Sequence, residues 1–156
     1  MKLSKYISLL FIGLVLFTAC KKEDETANPS SKEEQDQILQ DYFTENNITP
    51  QKTESGLYYV VTEQGTPIQT GETVTVNYEG TLLSGEIFDS SFGKQPFSFP
   101  VGTGRVIQGW DEGIPLIGRG GKGMLYIPSH LGYGSRATGS VIKPYSILVF
   151  RVEVFN

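Results

Sequence analysis

From Gly56 onward, apolar residues recur at every second position. In "ETVTVNYEG", Val74, Val76 and Tyr78 fall on one face and threonines on the other, the alternation of a half-buried strand. "GLYYVVTEQG" predicts a strand closed by a turn, and "GMLYIP" and "SILVFRVEVF" predict two more. In the last, Leu148, Phe150, Val152 and Val154 share a face while Arg151 and Glu153 point to water. Such a set predicts an antiparallel sheet with one covered face.

A helical period appears twice. "SKEEQDQILQDYFTENN" predicts an amphipathic helix over 32–47: Ser31 caps with Glu34 three residues on, and Ile38, Leu39, Tyr42 and Phe43 form one apolar stripe. Docking on the domain and pairing between chains are both open to this helix. "RVIQGWDEGIP" predicts a second helix, with Val106 and Trp110 on one side and Pro115 disfavouring helix at Ile114. Gly109 and Gly113 each cost about 1 kcal/mol relative to alanine in a helix, which close packing of this helix on a sheet would explain. The architecture expected is α+β: several strands, one short helix packed across them and an extra N-terminal helix.

The first nineteen residues stand apart. Lys2 and Lys5 precede "ISLLFIGLVLF", an apolar run too short for the roughly 18 to 20 residues of a membrane span, so 1–19 reads as a signal peptide. It ends in "FTAC", which resembles the bacterial lipobox, with Phe17 in place of the commoner leucine; the resemblance implies that Cys20, the only cysteine, is lipidated and begins the mature chain. Ordinary secretory cleavage leaving a free thiol, or a short membrane anchor, are the alternatives, but an unpaired thiol is a liability in an oxidising compartment. Residues 20–31 then read as a solvated linker. "KKEDE" resembles the tract that follows the lipid cysteine in surface-exported lipoproteins of Bacteroidetes, and a plain tether explains it equally well. The expected location is the outer membrane, on its periplasmic or cell-surface face.

Composition narrows the rest. A chain of 156 residues suits one domain, and 38% hydrophobic residues with 12% aromatics and 18 glycines fit a globular protein rich in strands and turns. Removing 1–19 removes two lysines and no acids, taking the net charge from −4 to about −6, with no basic stripe to offset it. That argues against nucleic acid as a partner.

Candidate chemistry is sparse. "GTGRVIQG" misplaces its third glycine for a dinucleotide fingerprint, and "GRGGKG" lacks the Ser or Thr of a P-loop. His130 is the only histidine and reads as a solvated loop residue; with Cys20 taken by lipid no zinc set remains, and no nucleophile elbow occurs. What stands out is "IFDSSFGKQPFSF", Ile87 to Phe99, where four phenylalanines surround Asp89 in a stretch that otherwise reads as surface turns. On the residues alone, Trp110, Phe99 and Phe150 could be plain core, Asp89 a turn residue and Tyr133 a surface residue.

Taken together, "VNYEG", "IFDSS", "PFSF", "GRVIQGWDEG", "HLGYG" and "ILVFRVEV" resemble, in order and spacing, the FKBP-type peptidyl-prolyl cis/trans isomerases over about residues 53–156. The resemblance implies a strongly curved antiparallel sheet wrapped around the short helix, with an active site between them. It implies that Tyr78, Asp89, the backbone N–H of Ile107 and the hydroxyl of Tyr133 orient a proline-containing polypeptide. The wall would come from Phe88, Phe97, Phe99, Val106, Val141, Ile142 and Phe150, with Trp110 as floor. At Val141 and Ile142 the family's loops vary, and Lys143 stands where another proline is common. Macrolide inhibitors would compete for the same pocket, and neither metal nor cofactor is implied. A binding-only folding helper, or a surface lipoprotein with another ligand, are the competing readings.

Overall fold

The computed structural model describes residues 29–156. The signal peptide, Cys20 and most of the linker fall on residues 1–28, outside the described residues. Seven strands form one sheet: β1 (Gln51–Lys52), β2 (Tyr58–Glu63), β3 (Thr73–Leu82), β4 (Ile87–Ser90), β5 (Phe97–Pro100), β6 (Lys122–Ile127) and β7 (Leu148–Val154). Their order is β1-β2-β6-β7-β3-β4, with β5 also on β3, and every pair is antiparallel.

"IFDSSFGKQPFSF" is therefore not a loop throughout. The ten-residue β3 is long enough to pair twice along one edge, Thr73–Val76 with β5 and Glu79–Thr81 with β4, while β7 holds its other edge. Asp89, Phe97 and Phe99 are thus held in the ladder on β3, Phe88 sits between two paired residues, and Phe92 lies in the turn between the two strands.

Helix α2 (Gln108–Ile117) crosses one face of the sheet and completes the main core. Trp110, Ile114 and Ile117 pack there with Val74, Val76, Phe99, Leu125, Ile127, Leu148, Phe150 and Val152. Gly109 and Gly113 explain the close approach. A β-carbon on Gly109 would lie 2.6 Å from Ile127 Cγ2, and one on Gly113 would lie 2.7 Å from Leu125 Cδ2. Four helical residues rise about 6 Å and two strand residues about 6.6 Å, so the two glycines face the two β6 side chains in step.

Two features of α2 depart from expectation. Val106 precedes the helix, and Ile107 is its N-cap with extended backbone. The helix also continues through Pro115 to Ile117. Proline removes one hydrogen bond, to the Asp111 carbonyl, but Ile114 and Ile117 are wholly buried and Gly118 N–H closes the end on the Ile114 carbonyl at 3.0 Å. Apolar burial outweighs a local backbone preference.

Helix α1 (Lys32–Glu45) has the expected capping box: Ser31 Oγ accepts from Glu34 N–H at 3.1 Å, and the Glu34 carboxylate accepts from Ser31 N–H at 3.2 Å. It docks on the other face of the sheet, so both faces are covered rather than one. Leu39 and Phe43 pack with Tyr58, Tyr126, Ile147 and Val149, whereas Ile38, assigned to the same stripe, is exposed. Gln35 takes the buried place one turn before Leu39. Asp36 accepts hydrogen bonds from Lys52 and from the Tyr58 hydroxyl and so ties α1 to β1 and β2.

Candidate active site

A cleft of about 480 Å³ opens between α2, the β3–β4–β5 edge and the long connection from β6 to β7. Trp110, presented by the first turn of α2, is its floor. Its indole is 4% exposed and is surrounded by rings: Tyr78 at 5.0 Å and Phe150 at 5.1 Å, both edge-on, Phe99 at 5.5 Å and Phe97 at 6.1 Å. Such contacts stabilise by about 0.5 to 1.5 kcal/mol each beyond area burial and hold the floor rigid. Among the described residues, Trp110 Nε1 is the one buried side-chain nitrogen or oxygen without a hydrogen-bond partner.

The β3–β4 pair shows how adjacent residues reach the same cleft. Gly80 stands opposite Asp89, but Thr81 stands opposite Ile87, so Phe88 is the extra residue of a bulge. Neighbours on a regular strand point to opposite faces; a bulge re-aims one of them. Phe88 and Asp89 therefore both line the cleft. Ser91, buried after β4, anchors the arrangement: its Oγ accepts from Tyr78 N–H and its N–H donates to the Tyr78 carbonyl, both at 2.9 Å.

The polar groups are few and fixed. The Tyr78 hydroxyl donates to Asp89 Oδ2 at 2.5 Å, and Asp89 Oδ1 accepts from Ser90 N–H at 2.8 Å. Burial, then the hydrogen bond and negative charge of Asp89, push the Tyr78 phenol far above its ordinary range, so it stays a neutral donor. Asp111, one residue after the Trp110 floor, accepts from the N–H groups of Gly102 and Gly104, both at 2.8 Å. Both glycines have φ of +71°, a conformation side chains disfavour, and this closed turn delivers Arg105, Val106 and Ile107 to the cleft rim. Among the described residues, the Ile107 N–H and the Tyr133 hydroxyl have no hydrogen-bond partner within the protein.

Of the residues expected at the site, Tyr78, Phe88, Asp89, Phe97, Val106, Ile107, Trp110, Tyr133, Val141, Ile142 and Phe150 all line this cleft. Phe99 does not. It is 3% exposed, stacks behind Phe97 at 5.4 Å and backs the floor from within the core. Residues 97 and 99 share a strand face, and Phe97 already occupies the cleft side. Phe92, the remaining ring of the aromatic stretch, lies under the Arg151 guanidinium at 4.4 Å, away from the cleft. Sequence reasoning missed Arg105 and Thr138–Ser140 as lining residues. Arg105 directly precedes two recognised residues, a usable signal; the polar 138–140 stretch carried none. His130 is not simply solvated, since its Nε2 bonds the Ser55 carbonyl at 2.9 Å and ties down the turn before β2.

Comparison with known proteins fits this geometry. The family model described as FKBP-type peptidyl-prolyl cis-trans isomerase matches residues 64–155. A probable FKBP-type peptidyl-prolyl cis-trans isomerase of Haemophilus influenzae is 37% identical over 144 residues, 90% of this chain and 58% of the relative. FK506-binding protein 2 of Yarrowia lipolytica is 52% identical over 87 residues, 55% of this chain and 60% of the relative. The chain thus spans about three fifths of the length of these two relatives. Among solved structures, FkpA from Escherichia coli superposes with a TM-score of 0.68 at 36% identity, covering 80% of this chain and 58% of that one. AtFKBP13 gives 0.64 at 34% identity, covering 69% of this chain and 98% of that one. A family model spanning more than half of the chain, relatives and structural neighbours of one kind, and an aromatic cleft built from the residues that carried the resemblance lead to one conclusion: this chain belongs to the FKBP-type peptidyl-prolyl cis-trans isomerase family.

Proposed function

We propose that the protein catalyses cis/trans isomerisation of X-Pro bonds in exported polypeptides, with the proline ring seated over Trp110. The observation that supports it most directly is the rigid aromatic floor beside two uncommitted donors, the Ile107 N–H and the Tyr133 hydroxyl. The barrier to peptide rotation, about 18 to 20 kcal/mol, comes from amide resonance. A planar amide is more polar than a twisted one. A wall of Phe88, Phe97, Val106, Ile142 and Phe150 that excludes water therefore raises the ground state more than the twisted transition state. The two donors then hold carbonyls on either side of the rotating bond. Asp89, kept in place by Tyr78 and by Ser90 N–H, shapes the polar edge of the cleft. No bond to carbon breaks, so the chain needs no nucleophile.

Uncatalysed X-Pro isomerisation takes tens to hundreds of seconds and limits folding of many chains. The basic and apolar leader with Cys20 supports a lipid-anchored form of this catalyst at the outer membrane, acting on clients after export. The names of relatives as FK506-binding proteins support macrolide competition at the same cleft. The test is a Leu-Pro peptide isomerisation assay with FK506 as competitor. Catalysis inhibited by FK506 and lost on Trp110 substitution is the expected result; turnover no faster than the uncatalysed rate would overturn the reading.

A further inference from the structure

Helix α1 lies outside the stretch that matches the family model, yet one of its side chains reaches the connection that forms a wall of the cleft. Gln35 is 1% exposed, an unusual place for a primary amide unless every polar atom is paired. Its Nε2 donates to the Tyr145 carbonyl at 2.9 Å, Ser129 Oγ at 2.9 Å and the Pro29 carbonyl at 2.7 Å; its Oε1 accepts from Ser129 N–H at 2.7 Å. Because a backbone N–H can only donate, the network leaves one orientation for the amide.

Ser129 and Tyr145 bracket the segment that carries Tyr133, Val141 and Ile142 into the cleft. No helix or strand lies between Leu131 and Leu148; the segment is held locally by turn bonds such as Arg136 N–H to the Tyr133 carbonyl at 3.2 Å and Thr138 N–H to the Ile142 carbonyl at 3.0 Å. Its base is closed by hydrogen bonds between the bracketing residues and Gly134, next to Tyr133: Gly134 N–H donates to the Ser129 carbonyl at 2.8 Å, and Tyr145 N–H donates to the Gly134 carbonyl at 2.7 Å. Tyr145 has φ of +61°, a backbone that a bulky residue keeps only where its surroundings over-determine it. Gln35 grips the carbonyl of that same residue.

We propose that Gln35 is a positioning residue for the isomerase: by clamping both ends of residues 130–144 it sets Tyr133 and Ile142 against the floor, so this hydrogen-bonded contact of α1, and not the apolar packing of the helix, tunes the cleft. This rests on the cleft being the site of isomerisation. In the full-length protein, Gln35→Met keeps the side-chain length and removes the hydrogen bonds. It is expected to lower kcat/KM for a Leu-Pro peptide about fivefold, the effect of a slightly misplaced catalytic wall, and to speed amide hydrogen exchange over 133–142 while leaving β3 and β7 unchanged. Leu39→Val, which loosens the same helix through its apolar cluster, should lower the Tm without either effect. A Gln35→Met protein that loses Tm but keeps kcat/KM within about twofold of wild type, or that exchanges normally over 133–142, would overturn the proposal. If Gln35→Met does not fold, Ser129→Ala removes one of the four partners and decides through the same two readouts. Failure of the cleft reading looks different: turnover would then also ignore Phe97→Ala and Tyr133→Phe.

Discussion

A β-carbon placed on Gly80 would lie 2.5 Å from Cε2 of Phe88, and 2.8 Å from Cε1 of Phe150. The space that lets two pocket rings meet edge-on at 5.5 Å is the missing side chain of a strand residue. Gly80→Ala should push Phe88 into the cleft, destabilise by about 1 to 3 kcal/mol as overpacking does, and weaken binding of FK506 or a proline peptide. Unaltered affinity in calorimetry would show that Phe88 moves elsewhere without narrowing the site.

Phe97 and Trp110 touch the same cleft but differ in burial, 42% against 4% exposed. Phe97→Ala should therefore reduce proline-peptide turnover while leaving the denaturation midpoint near wild type. Trp110→Ala should reduce both, since truncating a buried aromatic costs about 3 to 5 kcal/mol. Equal loss of stability in the two variants would assign Phe97 to the core.

Rotation by desolvation and fixed neutral donors moves no proton. With the Tyr78 phenol pushed above its usual range, it remains a donor to Asp89 throughout the neutral region. kcat/KM should be nearly flat from pH 6 to 8, whereas general acid–base catalysis typically contributes about 10² to 10⁴-fold and bends the profile. His130 bonds the Ser55 carbonyl and is not among the residues lining the cleft, so His130→Ala should leave the profile flat. A sigmoid in the wild type that vanishes in that variant is the contrary outcome.

The same phenol makes an alkaline prediction. A pKa raised in the folded state means that the fold favours neutral Tyr78. Its contribution to stability is fully present below the unfolded value of about 10 and is lost as pH rises towards the folded value. Between about pH 10 and 12, wild type should lose stability more steeply than Tyr78→Phe, measured as the pH dependence of the urea midpoint. Parallel curves for the two proteins would mean that the phenol feels no such environment.

Anchoring should depend on one sulfur. Cys20→Ala is expected to abolish lipid labelling and membrane retention, while proline-peptide turnover by the released protein stays at the wild-type level. The reason is that the cleft and both core clusters are built from residues 39–154. Membrane pelleting that persists in the variant would rule the cysteine out as the anchor.

The sequence by itself determined four of the seven strands, the two helices and, through the family resemblance, most of the residues that line the cleft, while β1, β4 and β5 went unread. A period of two assigned Val74, Val76 and Phe150 to an inner face, and the Ser31–Glu34 spacing marked the start of α1 before any packing was known. These are properties of local sterics and spacing. Tertiary structure decided what depends on partners distant in the chain. Whether Phe88 joins Asp89 in the cleft depends on a bulge in the register with β3, and a one-residue shift reverses which face a side chain meets. Phe99 and Phe92 carry the same ring as Phe97, but one stacks behind Phe97 and backs the floor, and the other, in the turn between β4 and β5, lies under Arg151 of β7, a partner distant in the chain. Pro115 stays inside α2 because burial of Ile114 and Ile117 outweighs a backbone preference. Gln35 reads as one more polar residue on a solvated helix until the fold brings Ser129, 94 positions away, against its amide.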